Sequence, residues 1–291
     1  MKIAVYFAFS VLLLGVLIAL HIFIVNYRAE RADFVRRPPT EISRHPERAG
    51  VAGLREISFA AKGVHIAGWY APSRNRAAIV LVHGTQSERS SLLAETRILS
   101  EAGFGVLALD LPGQGASDGQ SSWGAPERDA IIAGGDWLSR REEVDPNRIG
   151  GFGLSMGAYV LTQAAALDKR LRAVTLAACP TDVVEQNWVT SGKWGLLSQL
   201  PAYLALRVSH MPLDMLPKDI IGTIAPRPVF ILGSDLDRTV PEYMARELFA
   251  RAGNPKQMWI VPGAHHGDYA GVAPEEYRLR LADFFHRTLL N

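Results

Sequence analysis

The sequence predicts an α/β domain built on a mostly parallel, doubly wound sheet, with a small lid inserted into it and one transmembrane helix ahead of it. Three observations carry this expectation. Short apolar runs bounded by turn residues alternate with helix-spaced segments from residue 54 to the C-terminus. A long uncharged run opens the chain. Residues 183–227 break the alternation with 45 residues between two strands, the place expected of a lid.

From Ile3 to Val25 there are 23 residues with no Asp, Glu, Lys or Arg. As a helix they reach about 34 Å, enough to cross a bilayer. A cleaved signal peptide is the rival reading, but its apolar core runs only about 7–15 residues and ends in small residues. The stretch Leu20 to Tyr27 offers no such cleavage site. Tyr27 and Arg28 belong at the interface. Arg28, Arg31, Arg36 and Arg37 follow the span, against Lys2 before it, so the positive-inside count favours a cytoplasmic C-terminal domain. The expected organisation is an anchor over 1–27, a linker over 28–53 marked by Pro38-Pro39 and His45-Pro46, and a catalytic domain over 54–291. His45 reads as a solvated linker residue.

Within the domain, 54–60 and 64–70 are β-prone runs around Ala61-Lys62-Gly63, a hairpin pattern that leaves His65 on the surface. Ala77–Val82 and Gly105–Leu109 are continuously apolar, as in strands covered on both faces. Helical spacing lies between them over 90–102. Then follow a helix over 126–140, a strand over 148–152, a helix over 156–167, strands at 173–177 and 228–232, a helix over 241–252, a strand over 257–261 and a helix over 274–289. The insertion at 183–227 holds Trp188, Trp194, Tyr203, Met211 and Met215. Sheets of this kind bind ligands at the carboxyl ends of their strands.

Composition removes several function classes. A chain of 291 residues with 48% hydrophobic residues buries enough surface to fold without staples. Its single cysteine, Cys179, forms no intrachain disulfide and falls short of a Cys-based zinc or iron–sulfur framework. A net charge of +2 gives no basic face for a nucleic acid backbone.

The chemistry sits on the loops. After the 148–152 strand comes Gly153-Leu154-Ser155-Met156-Gly157 and then a helix, which is G-x-S-x-G in its required context. Glycines there permit a strained turn that lifts the Ser155 hydroxyl clear of the sheet, and the helix N-terminus points amides at developing negative charge. Gly151-Phe152-Gly153 lacks the spacing of a dinucleotide-binding loop, and no Gly-Lys-Ser/Thr is present for a Walker loop. A serine needs a base, and His265 or His266 after the last strand can serve. A third group orients the imidazole; Asp235, Asp237 and Asp182 all follow strands.

These motifs resemble the α/β-hydrolase superfamily of serine hydrolases from about Leu54 to Leu289. Leu81-Val82-His83-Gly84 resembles the family's histidine–glycine turn before the oxyanion loop, and Asp110 to Ser117 resembles its D-x-x-G-x-G-x-S loop. The order Ser, Asp, His also matches. The resemblance implies an esterase- or lipase-like hydrolase with an α/β-hydrolase fold. It selects Asp237, which precedes Arg238-Thr239-Val240-Pro241, and His266, which precedes Gly267. One extra residue between Gly233 and Asp237, compared with many relatives, keeps Asp235 in view. The same resemblance implies an oxyanion hole from the backbone amides of Met156 and of Thr85 or Gln86, with Thr85 taken as the second donor. His83 and Asp110 read as loop-holding residues and Cys179 as a small apolar one. His210 reads as a lid residue, and His286 and His21 as a helix and a span residue.

The expected activity is cleavage of carboxylic esters or related acyl substrates through an acyl-enzyme on Ser155, with no metal or organic cofactor. The expected partners are a small acyl ester and, through the N-terminal helix, a membrane. Acyltransferase, thioesterase and serine peptidase chemistry use the same residues, and a non-catalytic binding protein on this fold is the remaining alternative. Acyl length and oligomeric state are not set by the sequence.

Overall fold

The computed structural model describes residues 2–32, 34–192, 195–209, 211 and 214–291. The singled-out Trp194 and His210 lie outside the described residues. Among these residues, eight strands form one sheet: β1 (Arg55–Ala61), β2 (Val64–Ala71), β3 (Ala78–Val82), β4 (Gly105–Leu109), β5 (Ile149–Leu154), β6 (Leu171–Ala177), β7 (Val229–Ser234) and β8 (Lys256–Val261). Their order is β1-β2-β4-β3-β5-β6-β7-β8. β1 and β2 are antiparallel additions, and β3 to β8 are parallel. The β1–β2 hairpin turns at Lys62 (φ 46°) and Gly63 (φ 85°), the left-handed pair that a two-residue turn requires to match strand twist.

The continuous apolar runs follow from burial on both faces. On β3, Ala78, Val80 and Val82 join one hydrophobic cluster, while Ile79 and Leu81 join the other. The first cluster takes in residues of α3 (Ala125–Ser139) and α4 (Met156–Leu167); the second takes in α2 (Leu93–Glu101) and α10 (Pro274–Leu289). Helices thus cover both faces, with two further short or peripheral helices, α8 (Glu242–Arg251) and α9 (Tyr269–Val272), towards the β7–β8 edge. The chain runs from β3 outward to β4, then crosses back over β3 to β5. That reversal opens a crevice between the carboxyl ends of β3 and β5.

The insertion forms α5 (Val183–Ser191), α6 (Leu196–Val208) and α7 (Pro217–Ile220). At the N-terminus, α1 spans Lys2–Ala32, and its stretch Phe9–Ala29 is long and apolar enough to cross a membrane, with mean hydropathy 2.5 and none of its residues fully buried. α1 runs on past Tyr27 into the stretch read as a linker. Residues 37–49 of that stretch bond to the domain. The Ser43 carbonyl accepts from Trp69 Nε1 at 3.1 Å and from Arg89 Nη2 at 2.7 Å, and the Ala49 carbonyl accepts from Arg97 Nε at 2.9 Å. Composition alone did not show these carbonyls being used.

Candidate active site

The strand-to-helix turn between β5 and α4 holds Ser155 at φ 55° and ψ −120°, a strained conformation for a residue with a Cβ. Its amide donates to Ala177 O at 2.8 Å, which ties the turn to β6. A Cβ on Gly157 would sit 2.1 Å from the Val82 carbonyl oxygen, and one on Gly153 would sit 2.5 Å from the Gly157 carbonyl oxygen. Only glycine fits at either position. Met156 is the first residue of α4, so its amide has no acceptor within the helix.

The loops after β7 and β8 bring together two of the candidate residues. His266 Nδ1 donates to Asp237 Oδ2 at 2.7 Å. The Asp237 side chain is 1% exposed, and its other oxygen accepts from the amides of Thr239 and Val240, both at 2.8 Å. These bonds orient the carboxylate and compensate its burial. With Nδ1 carrying a proton towards Asp237, Nε2 is left as the lone-pair nitrogen of the neutral ring. The other candidates have different partners. Asp235 Oδ1 accepts from Gly263 N at 2.7 Å. The exposed His265 stands 3.3 Å from Leu236 O. Asp182 caps the N-terminus of α5 and pairs with Lys218 at 2.8 Å.

The β3 loop forms the opposite wall. His83 is fully buried; its Nε2 accepts from Leu111 N at 3.0 Å, so Nδ1 donates to Gly84 O at 2.7 Å. Burial pushes its pKa down, which keeps the ring neutral, and the two hydrogen bonds fix this tautomer. Asp110 accepts from Arg89 N at 2.8 Å, Arg89 Nη1 at 3.1 Å and Ala116 N at 2.8 Å. Gly115 lies over it at φ 53°, where a Cβ would meet Asp110 Oδ2 at 2.1 Å. His83 and Asp110 therefore spend their polar atoms on loops. Arg37 reaches this wall from the packed segment after α1: its guanidinium bonds the Gln86 side chain, and its amide donates to Gln114 Oε1 at 3.2 Å.

Ser155 and His266 line one cavity of about 420 Å³, together with Thr85, Trp123, Leu154 and Gln186. Trp123 was missed in the sequence. It stands at φ 59° ahead of α3, buried, with its ring edge-on to Tyr159 at 5.9 Å. The signal was its place in Ser121-Ser122-Trp123-Gly124 at the end of the Asp110 loop. Of the insertion, which was read as a lid, the cavity takes Gln186; Trp188 and Tyr203 are exposed, while Met211 is buried in the core. Cys179 is buried beside Thr162, and burial pushes its thiol up to about 12, so it stays protonated and unreactive.

With the site in place, a family model decides the affiliation: the prolyl oligopeptidase family matches residues 90–291, more than half of the chain. The chain belongs to the prolyl oligopeptidase family. The match takes in Ser155, Asp237 and His266 and begins just past the His83-Gly84 turn. The chain is similar to a polyketide transferase of Stachybotrys chlorohalonatus, 33% identical over 286 residues that cover 78% of this chain and 94% of the relative. Its fold is that of an esterase of Pyrococcus furiosus, with TM-score 0.75 at 21% identity over 88% of this chain and 98% of the other. An α/β hydrolase of Penicillium shares it at TM-score 0.65 and 21% identity, over 82% and 99% of the two chains. This prolyl oligopeptidase family member thus has the α/β-hydrolase fold and belongs to that superfamily.

Proposed function

We propose that this α/β hydrolase is a serine hydrolase that cleaves carboxylic esters through an acyl-enzyme, with residues 54–291 as the catalytic domain and α1 as a membrane anchor. The observation that carries the reading is the 2.7 Å bond between His266 Nδ1 and the buried Asp237, on a ring that shares a cavity with the strained Ser155. The Arg28, Arg31, Arg36 and Arg37 cluster after the uncharged run Ile3 to Val25 supports a cytoplasmic catalytic domain.

In the mechanism, Ser155 Oγ attacks the acyl carbonyl while His266 Nε2 takes its proton, and Asp237 stabilises the imidazolium through Nδ1. The oxyanion rests on the Met156 and Thr85 amides, each donor lowering the barrier by about 3 kcal/mol. The ester C–O bond breaks as Nε2 returns the proton to the leaving oxygen. A water, deprotonated by His266, then attacks the acyl carbon and releases the acid and free Ser155. None of these steps calls for a metal or organic cofactor.

The test is hydrolysis of p-nitrophenyl esters of increasing acyl length by the full chain beside Ser155→Ala. Turnover in the wild type alone is expected; equal turnover in the variant overturns the assignment of Ser155. A second reading, transfer of the acyl group to an alcohol or amine, draws on the 33% identity with a polyketide transferase. Adding such acceptors to the assay and weighing ester or amide against acid separates the two.

A further inference from the structure

Helix α6 is amphipathic the wrong way round for water. Leu196, Leu197, Leu200, Tyr203, Leu204 and Val208 are exposed, with Leu196 at 77%, and they recur at the spacing of one helix face. The opposite, buried face carries the small residues Ser198, Pro201, Ala202 and Ala205 beside Leu206. A contiguous apolar stripe of this kind marks an interaction surface rather than a solvated one. On α5, which packs against α6, Trp188 and Val189 are exposed as well.

What lies beside this face identifies what covers it. α6 packs against α1, and the half-buried residues Ala19, Ile22, Phe23, Asn26 and Tyr27 form a helical stripe along the C-terminal half of the apolar span. Arg31 Nη1 donates to Ser209 Oγ at 2.7 Å, joining the C-terminal ends of the two helices. The 13 residues of α6 rise about 20 Å alongside α1. If α1 crosses a bilayer, α6 is at the depth of one leaflet. Arg28 at the end of the span, Arg31 and Arg36 beyond it, and Arg207 in the last turn of α6 then stand at headgroup level, where cations meet anionic lipid and long side chains snorkel.

We propose that the exposed face of α6, with the outer face of α5, is immersed in the hydrocarbon of the leaflet that α1 enters, and that the catalytic cavity takes its acyl substrate from that leaflet. The proposal rests on reading α1 as a membrane span. Gln186 of α5 lines the cavity while Trp188 on the same helix faces outward, so a single element joins the site to the lipid-facing surface.

The test uses the full chain in vesicles of phosphatidylcholine and phosphatidylglycerol, with an environment-sensitive fluorophore placed by Leu200→Cys on α6, Leu14→Cys on α1 or Leu279→Cys on α10. The buried Cys179 does not label. Nitroxide carried on the lipid acyl chains is expected to quench the probes at 200 and 14 alike and to leave the probe at 279 bright. Quenching at 14 without quenching at 200 overturns the proposal while keeping α1 as a span, and covers the case in which a second copy of the chain occupies the face. Absence of quenching at 14 removes the span and the proposal with it. Leu200→Glu with Leu204→Glu is expected to lose turnover of a long-chain ester embedded in vesicles and to keep turnover of a short soluble one. Unchanged turnover of the embedded ester, or equal loss on both substrates, contradicts delivery from the leaflet.

Discussion

Asp235 and Asp237 stand two residues apart and turn their carboxylates to different partners, Asp235 to the amide of Gly263 and Asp237 to the imidazole of His266. The difference predicts separable effects. Asp237→Asn removes the acceptor that holds the His266 tautomer and should lower kcat on the order of 10⁴-fold with KM little changed. Asp235→Asn should leave kcat within about twofold, because it touches only a surface loop. Steady-state kinetics on one ester decide it; a larger loss in Asp235→Asn reverses the assignment.

Trp123 predicts where acyl length is read. It lines the cavity with Ser155 and His266, and no other Trp, Tyr or Phe ring lines it among the described residues. Trp123→Ala should shift the preferred p-nitrophenyl ester to a longer chain and, as an aromatic truncation in a packed site, cost about 3–5 kcal/mol of stability. Denaturant titration and the chain-length profile measure the two separately. An unchanged profile in a folded variant excludes Trp123 from the acyl pocket.

A pH prediction follows from Glu95, buried in α2, whose Oε1 accepts from Tyr277 Oη at 2.7 Å across to α10. Burial raises its pKa above the ordinary 4.5, so the folded protein holds this proton more tightly than the unfolded chain does. Its contribution to stability is therefore fully present below 4.5 and is lost as pH rises through the raised value. Glu95→Gln keeps an acceptor for Tyr277 without the charge. The variant should have the higher Tm above neutral pH, with the gap closing as pH falls towards 4.5. Thermal melts across that range check it; a gap that widens on acidification contradicts the burial argument.

Much of this was legible in the sequence because local chemistry and fold agreed. Continuous apolar runs such as Ile79 to Val82 can be satisfied only between two helical layers, and the Gly153 and Gly157 pair only at a turn where a Cβ collides with backbone. The predicted helices at 156–167 and 274–289 match α4 and α10 end to end. The remainder depends on distant partners. By residue type Asp235 and Asp237 are equivalent, and the difference lies in which carboxylate of the loop after β7 turns to His266. The stretch 28–53 reads as a linker by composition, yet its Ser43 and Ala49 carbonyls are acceptors for Trp69, Arg89 and Arg97. Trp188 and Tyr203 belong to the insertion read as a lid, yet both are exposed, on α5 and α6, and the buried side of α6 carries small residues instead.

The central claim is that Ser155 carries the acyl group, and covalent trapping measures it most directly. The full chain is exposed to a fluorophosphonate, weighed intact and mapped by peptide mass. The account predicts one adduct, on the peptide holding Ser155, absent in Ser155→Ala and slowed in Asp237→Asn. An adduct on another residue, or none in wild-type protein shown to be folded, would contradict it.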